Sequence, residues 1–167
     1  MKVDNAKLEV LMGRMIGELG AAINVPLMMI GDRLGLFKAM VEAGPVTSQQ
    51  LSQKTGTDER YLREWLSAMA AGDIVTFDPA TNTFTLPNEQ ALALAVDDSP
   101  VNLQGAFSVI SSTYNDWEHL AEAFQTGRGV GWHEHHHSLF SGTDRFFRPG
   151  YKSHLVSEFA VLRLRLS

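Results

Sequence analysis

Residues 47–75, TSQQLSQKTGTDERYLREWLSAMAAGDIV, spell two amphipathic helices separated by one glycine turn. Thr47 and Gln50 have the Thr-x-x-Gln spacing of a capping box, in which each side chain satisfies the other residue's backbone N–H. Gly56 suits the left-handed residue that ends a helix. Thr57 is expected to cap the next helix, with Asp58 and Glu59 in its first turn, where the dipole favours anions. Tyr61, Leu62, Trp65, Leu66 and Met69 recur at helical spacing as its buried stripe, and Gly72 ends it. Ile74–Phe77 and Thr83–Leu86 read as short strands joined by Asp78-Pro79-Ala80-Thr81-Asn82. Helices followed by a hairpin predict a winged helix-turn-helix within a mainly α fold.

Upstream, Leu8, Leu11, Met12, Met15, Ile16, Leu19 and Ile23 repeat near the helical period. Pro26 interrupts them, and a second apolar run from Leu27 to Met40 ends at Gly44-Pro45. The spacing predicts two helices joined near Pro26. Their apolar surface is wide and rich in methionine. One core can absorb it; a subunit interface between two copies, with Met12, Met15, Ile16, Met28 and Met29 as contacts, fits better. The chain then divides into N-terminal dimerisation helices (1–45), a winged helix (46–96), a helical connector segment (97–159) and a disordered tail (160–167). Within 97–159, Ser99 and Pro100 are expected to start a helix that runs through Ile110. Another is expected over Asn115–Phe124, then irregular chain until Tyr151–Phe159.

Charge bears on function. The chain carries a net −5 over its 167 residues. From Thr47 to Asp78, Lys54, Arg60 and Arg63 face Asp58, Glu59, Glu64, Asp73 and Asp78, a net of −2 on the unit that would approach a duplex. Affinity for DNA comes largely from neutralised phosphates, so nucleic acid is a poor partner. A winged-helix DNA-binding transcriptional regulator is nonetheless the leading rival reading. No run of about 18 apolar residues appears, so no membrane span is expected. The start, MKVDNAKLEV, does not read as a signal peptide. The sequence has no cysteine, which suits a cytoplasmic location.

Two motifs are weaker than they look. Gly127-Arg128-Gly129-Val130-Gly131 resembles a phosphate loop, but it follows a helical pattern rather than a strand and opens no helix. His133-Glu134-His135-His136-His137 satisfies H-E-x-x-H, yet three glycines just before Trp132 argue against the regular helix that zinc catalysis needs. No metal is expected. Phe146-Phe147-Arg148-Pro149-Gly150-Tyr151 is richer: a guanidinium can bind a carboxylate in bidentate fashion, and aromatic faces can cover a cation.

Taken in order, GDRLGLF (31–37), EWLSAMAAGDIV (64–75) and GVGWHEHH followed by GTDRFFRPGY and LVSE (129–158) resemble the N-terminal part of bacterial class I S-adenosylmethionine-dependent methyltransferases. The resemblance implies a winged helix that dimerises and caps a substrate pocket, ahead of a Rossmann-like catalytic domain. It implies cofactor-side contacts from Phe147, Arg148 and Tyr151, and substrate-side contacts from Trp132, His133 and His136. Such a catalytic domain needs on the order of 150 further residues, where this sequence ends in FAVLRLRLS. The expectation is therefore a fragment that binds no cofactor and has no transfer activity alone: a deliberately cut piece, a degenerate gene or a reading frame shifted near residue 159, the last favoured by the Leu-Arg alternation.

Overall fold

The computed structural model describes residues 2–165, with side chains through Lys152. Helix α1 (Asn5–Arg33) begins at Asp4, whose carboxylate accepts the Ala6 and Lys7 N–H groups at 3.1 and 3.3 Å. Sequence spacing predicts a break at Pro26, but α1 runs through it for 29 residues. A proline cannot donate to the carbonyl four residues back. Here that carbonyl, of Ala22, accepts the Tyr114 hydroxyl at 3.4 Å. The break comes instead at Gly35, whose φ of 68° reverses the chain into α2 (Leu36–Ala43).

The predicted capping box is present: Thr47 Oγ1 accepts the Gln50 N–H at 3.2 Å and Gln50 Oε1 accepts the Thr47 N–H at 2.9 Å. It starts α3 (Ser48–Thr55), which Gly56 ends with φ 69°. The cap of α4 (Glu59–Ala71) is Asp58, not Thr57; its Oδ1 accepts the Tyr61 N–H at 3.2 Å. Thr57 is drawn backwards, its carbonyl accepting the Ser52 hydroxyl and its own hydroxyl meeting Thr55. Strands β1 (Thr76–Asp78) and β2 (Thr83–Thr85) pair antiparallel, and Val46 bridges to Phe84 on the other edge of β2.

One core joins Met28, Leu36, Phe37, Met40, Leu51, Leu62, Trp65, Leu66, Met69, Phe84 and Leu94. The second half of α1 thus shares its core with the winged helix through Met28. Trp65 locks α4 to α1, its indole N–H donating to the Leu27 carbonyl at 2.9 Å while its ring meets Phe37 edge-on. Gly31 lets α1 pass that pair; no side chain would fit there. Tyr61, expected in the buried stripe, is 76% exposed because it lies at the edge of the face marked by Leu62, Trp65, Leu66 and Met69.

After α5 (Asn88–Leu94), a turn over 95–103 precedes α6 (Gln104–Thr126). Pro100 does not open that helix: Ser99 Oγ caps only Val101, and Asn102 Oδ1 receives the Gln104 N–H at 3.0 Å. Gly127 ends α6 with φ 72°. The chain then crosses the glycine loop and a short 3-10 turn, Trp132–Glu134, into α7 (Ser138–Arg165). Sequence pattern misses most of α7 and assigns its last residues to a disordered tail. Instead the helix passes through Gly142, Pro149 and Gly150 to Arg165; Leu166 and Ser167 lie outside the described residues. Packing overrides propensity here: Gly105 of α6 and Gly142 of α7 place the two backbones in direct contact.

Candidate functional site

The face of α4 that would meet DNA is largely engaged by its own acids. Glu59 accepts the Ser48 hydroxyl at 2.7 Å and pairs with Arg63 at 3.5 Å, and Lys54 pairs with Glu42 at 2.9 Å. At the wing, the Thr81 hydroxyl and Ala80 N–H hold the Asp78 carboxyl below its ordinary value, so the tip stays anionic. Labelled duplex at low salt is expected to show no saturable binding at micromolar protein; tight binding lost on replacing Arg60 and Arg63 would overturn this.

A second polar centre lies where α6 meets the start of α7. Asp116 of α6 is 5% exposed, and no lysine or arginine pairs with it among the described residues. Its carboxylate instead accepts from His135 Nδ1 at 3.0 Å and from the His136 backbone N–H at 3.1 and 3.2 Å. The His135 hydrogen bond, then the His136 N–H, hold the carboxyl below its ordinary value against the upward push of burial. Beside it, His136 Nδ1 faces the Ser138 hydroxyl at 2.8 Å and the Ser138 N–H at 3.3 Å. Trp132 stands 65% exposed, edge-on to both His135 and Phe140, with centroids 6.1 and 5.1 Å apart.

The structure thus sorts the residues singled out from sequence. Trp132 and His136 join this centre, whereas His133 stays exposed outside it. His135 and Asp116, which sequence pattern does not single out, form its middle. A signal was present: Ser108, Ser111, Ser112, Asn115 and Asp116 put a polar stripe on a helix otherwise lined by apolar residues. The chain leaves its 3-10 turn at His135 in extended conformation, so H-E-x-x-H is not displayed on one helix face. Among the described residues no three His, Asp or Glu side chains converge as metal ligands.

Phe146, Phe147 and Tyr151 form a ladder along α7, with adjacent centroids at 5.1 and 6.1 Å. Phe147 and Tyr151 are half or more exposed, so their faces are open to a flat or cationic group. Arg148 does not stand free for a carboxylate as expected. Asp144, one turn earlier, takes its guanidinium through two contacts.

Arg145, inconspicuous in the sequence, ties the parts together. Its guanidinium grips both Asp32 oxygens, at the end of α1, and reaches Asp97 at 3.2 Å. Lys38 of α2 meets Asp97 at 2.6 Å and holds that carboxyl below its ordinary value, with help from Arg145. Asp32 in turn raises the Arg145 pKa. These residues line a charged cleft of about 600 Å³ with Asp98, Arg148 and Lys152.

The first two-thirds of α1 lies bare. Leu8, Leu11, Met12, Met15, Ile16, Leu19 and Ile23 are 42–65% exposed. Of the expected interface residues, Met28 is inside the core at 4% and Met29 is only half-buried. Against expectation, α1 is long and apolar enough to cross a membrane by length and composition alone, because scattered charges interrupt apolar runs without making the helix polar.

Residues 21–96 match the Rv2258c-like winged HTH domain. No curated protein matches the chain. Among solved structures, the mitomycin 7-O-methyltransferase MmcR is similar over 89% of this chain, at 20% identity and a TM-score of 0.66. PigF, solved with SAH, is similar over 83% at 14% identity and a TM-score of 0.64. CalO1, a methyltransferase in calicheamicin biosynthesis solved in an SAH-bound form, is similar over 95% at 20% identity and a TM-score of 0.58. The likeness is one of fold. The chain spans about half the length of these proteins, covering 46%, 44% and 47% of them in that order.

Proposed function

With residues 21–96 assigned to the Rv2258c-like winged helix-turn-helix domains, we propose that the chain is the N-terminal dimerisation and substrate-cap region of an S-adenosylmethionine-dependent methyltransferase. The observation that carries this reading is the bare apolar face of α1, on a fold shared with half of several methyltransferases. A helix with so few tertiary contacts is marginal in water by itself, and contiguous apolar surface of this kind marks an interface. A second copy suits it better than lipid: the Arg14–Glu18 pair, at 2.8 Å, sits mid-helix, where each ion in a bilayer core would cost about 2.5–3.5 kcal/mol on insertion scales.

In this reading Met12, Met15 and Ile16 meet the partner copy, while Trp132 and the polar centre beside it face the methyl acceptor. Phe147 and Tyr151 lie toward the cofactor, whose sulfonium would supply the methyl group. The cap orients the acceptor and excludes water, a contribution by positioning. A cytoplasmic location suits the cysteine-free chain.

Light scattering is the test. The chain is expected to elute at twice its 18.4 kDa mass, and the double variant M12E/I16E at the monomer mass with an unchanged winged-helix CD signal. A monomeric parent chain, or partition of α1 into zwitterionic lipid vesicles, would overturn the homodimer.

A further inference from the structure

The exposed apolar face of α1 is regular along its whole length. Leu8, Leu19 and Ile30 stand eleven residues apart, and so do Met12, Ile23 and Leu34. Eleven residues make almost three turns of helix, so both triplets follow one line along its surface. All six side chains are 43–65% exposed. Val25 and Met28, which α1 buries in its own core, lie on the opposite side. At its C-terminal end the line runs into a cavity of about 200 Å³ between α1 and α4. Ile30 and Leu34 form one wall, and Tyr61, Leu62 and Trp65 another. The polar atoms at its edge are engaged elsewhere: Asp58 Oδ1 accepts the Tyr61 N–H, and the Thr57 hydroxyl meets Thr55.

Size and chemistry narrow what can fill that cavity. It is smaller than the ~300–1,000 Å³ of small-molecule sites, and its walls offer apolar contact of side-chain scale. The winged-helix half of α1 carries it, whereas residues 5–20 are exposed throughout. Two copies laid antiparallel set the bare half of each against the occupied half of the other. Laid parallel, they would crowd two winged helices at one end and align their dipoles unfavourably. A two-fold axis across the helices sets the first member of the line against the last: Leu8 meets Leu34, Met12 meets Ile30 and Leu19 meets Ile23. Charge agrees with this direction. Glu9 precedes Gly31 by two eleven-residue repeats, so it shares the side of α1 that Gly31 turns to Trp65 of α4. The axis preserves that side and brings Glu9 of one copy to the first turn of the other's α4. There Arg60, like Glu9, has no charged partner among the described residues, and the helix dipole favours an anion.

We propose that the cavity between α1 and α4 is the seat for Leu8 and Met12 of a second copy, the two chains docking their α1 helices antiparallel. The partner's first turns then lie across the start of α4, where a DNA-reading helix presents its leading residues to the groove. Each copy thereby covers the other's α4, and its bare arm gains the tertiary contacts it lacks within its own chain. That two copies pair rests on the homodimer reading above; the direction of pairing and the seat on α4 do not follow from it.

The test exploits the absence of cysteine from the chain. Leu8 and Leu34 are both exposed, so L8C and L34C leave the core intact. The two positions are 26 residues apart, about 39 Å along the helix and out of reach of a link within one chain. The whole chain carrying L8C/L34C, treated with a short bis-maleimide, is expected to run almost entirely as a covalent dimer, and each single variant as a monomer. A covalent dimer from either single variant means parallel pairing and overturns the proposal. So does a chain of dimer mass by light scattering in which L8C/L34C gives no link, a result that leaves the homodimer standing. A parent chain of monomer mass sinks both. In E9R the dimer should dissociate about fivefold more readily, the scale of two exposed ion pairs, and R60E added to E9R should restore it. An E9R dimer as tight as the parent, or no rescue by R60E, puts Glu9 away from α4 and overturns the seat.

Discussion

Replacing Gly142 by valine is expected to lower the stability of the chain by about 3 kcal/mol or more, beyond the usual cost of overpacking because backbone is involved. A Cβ at Gly142 would stand 2.7 Å from the Gly105 carbonyl oxygen, 2.8 Å from the Val109 nitrogen and 2.8 Å from Ser108 Cβ. At Gly105 the reciprocal Cβ would strike the Phe146 nitrogen and lie 2.6 Å from the Gly142 oxygen. Two of the three neighbours of Gly142 are main-chain atoms, so no rotamer change relieves the clash and α6 and α7 must part. Valine's better helix propensity returns only a few tenths of a kcal/mol. Urea denaturation followed by CD measures the loss. Hydrogen exchange should localise it to α6 and α7, sparing α3 and α4. An unchanged midpoint would show that the helices do not cross at these glycines.

Gly31→Ala in α1 is expected to destabilise by about 1–3 kcal/mol, although the same change in an open helix gains roughly 1 kcal/mol. The new methyl would collide with Phe37 Cε2 and stand 2.6 Å from Trp65 Cζ2. Neither ring has room to yield. Phe37 is 1% exposed and Trp65 5%, and the Trp65 indole is pinned to the Leu27 carbonyl. Gly20 is the control within the same helix, since a methyl added there would meet nothing within 4 Å. Without a partner helix on that side, Gly20→Ala should stabilise. Thermal melts of the two variants should therefore move in opposite directions; parallel shifts would mean that Gly31 is no crossing point.

What sequence reveals and conceals here follows the range of the forces. The turn between α3 and α4 is legible because Thr47, Gln50 and Gly56 satisfy their own neighbours' backbone groups. The continuity of α1 through Pro26 is not legible, because the hydroxyl that completes it comes from Tyr114, 92 residues away from Ala22. Pro149 and Gly142 likewise suggest irregular chain, and only the approach of α6 makes a helix there. Arg148 shows a different limit: its type is legible, but its exposed pairing with Asp144 one turn away is a matter of helix spacing that only the continuity of α7 creates. In the candidate site, aromatic Trp132, Phe147 and Tyr151 announce themselves by type. Asp116 and His135 acquire significance only through a contact spanning 19 residues.

The fork of Arg145 has a consequence for how this protein tolerates change. One planar group grips the last turn of α1 and the segment after α5 at once, from a position on α7. A lysine there would keep the charge but offer a single point, unable to serve two carboxylates on divergent lines. The joint between α1, the segment after α5 and α7 therefore depends on the shape of a side chain more than on its sign, and the substitution that looks gentlest on paper is the one that loosens it.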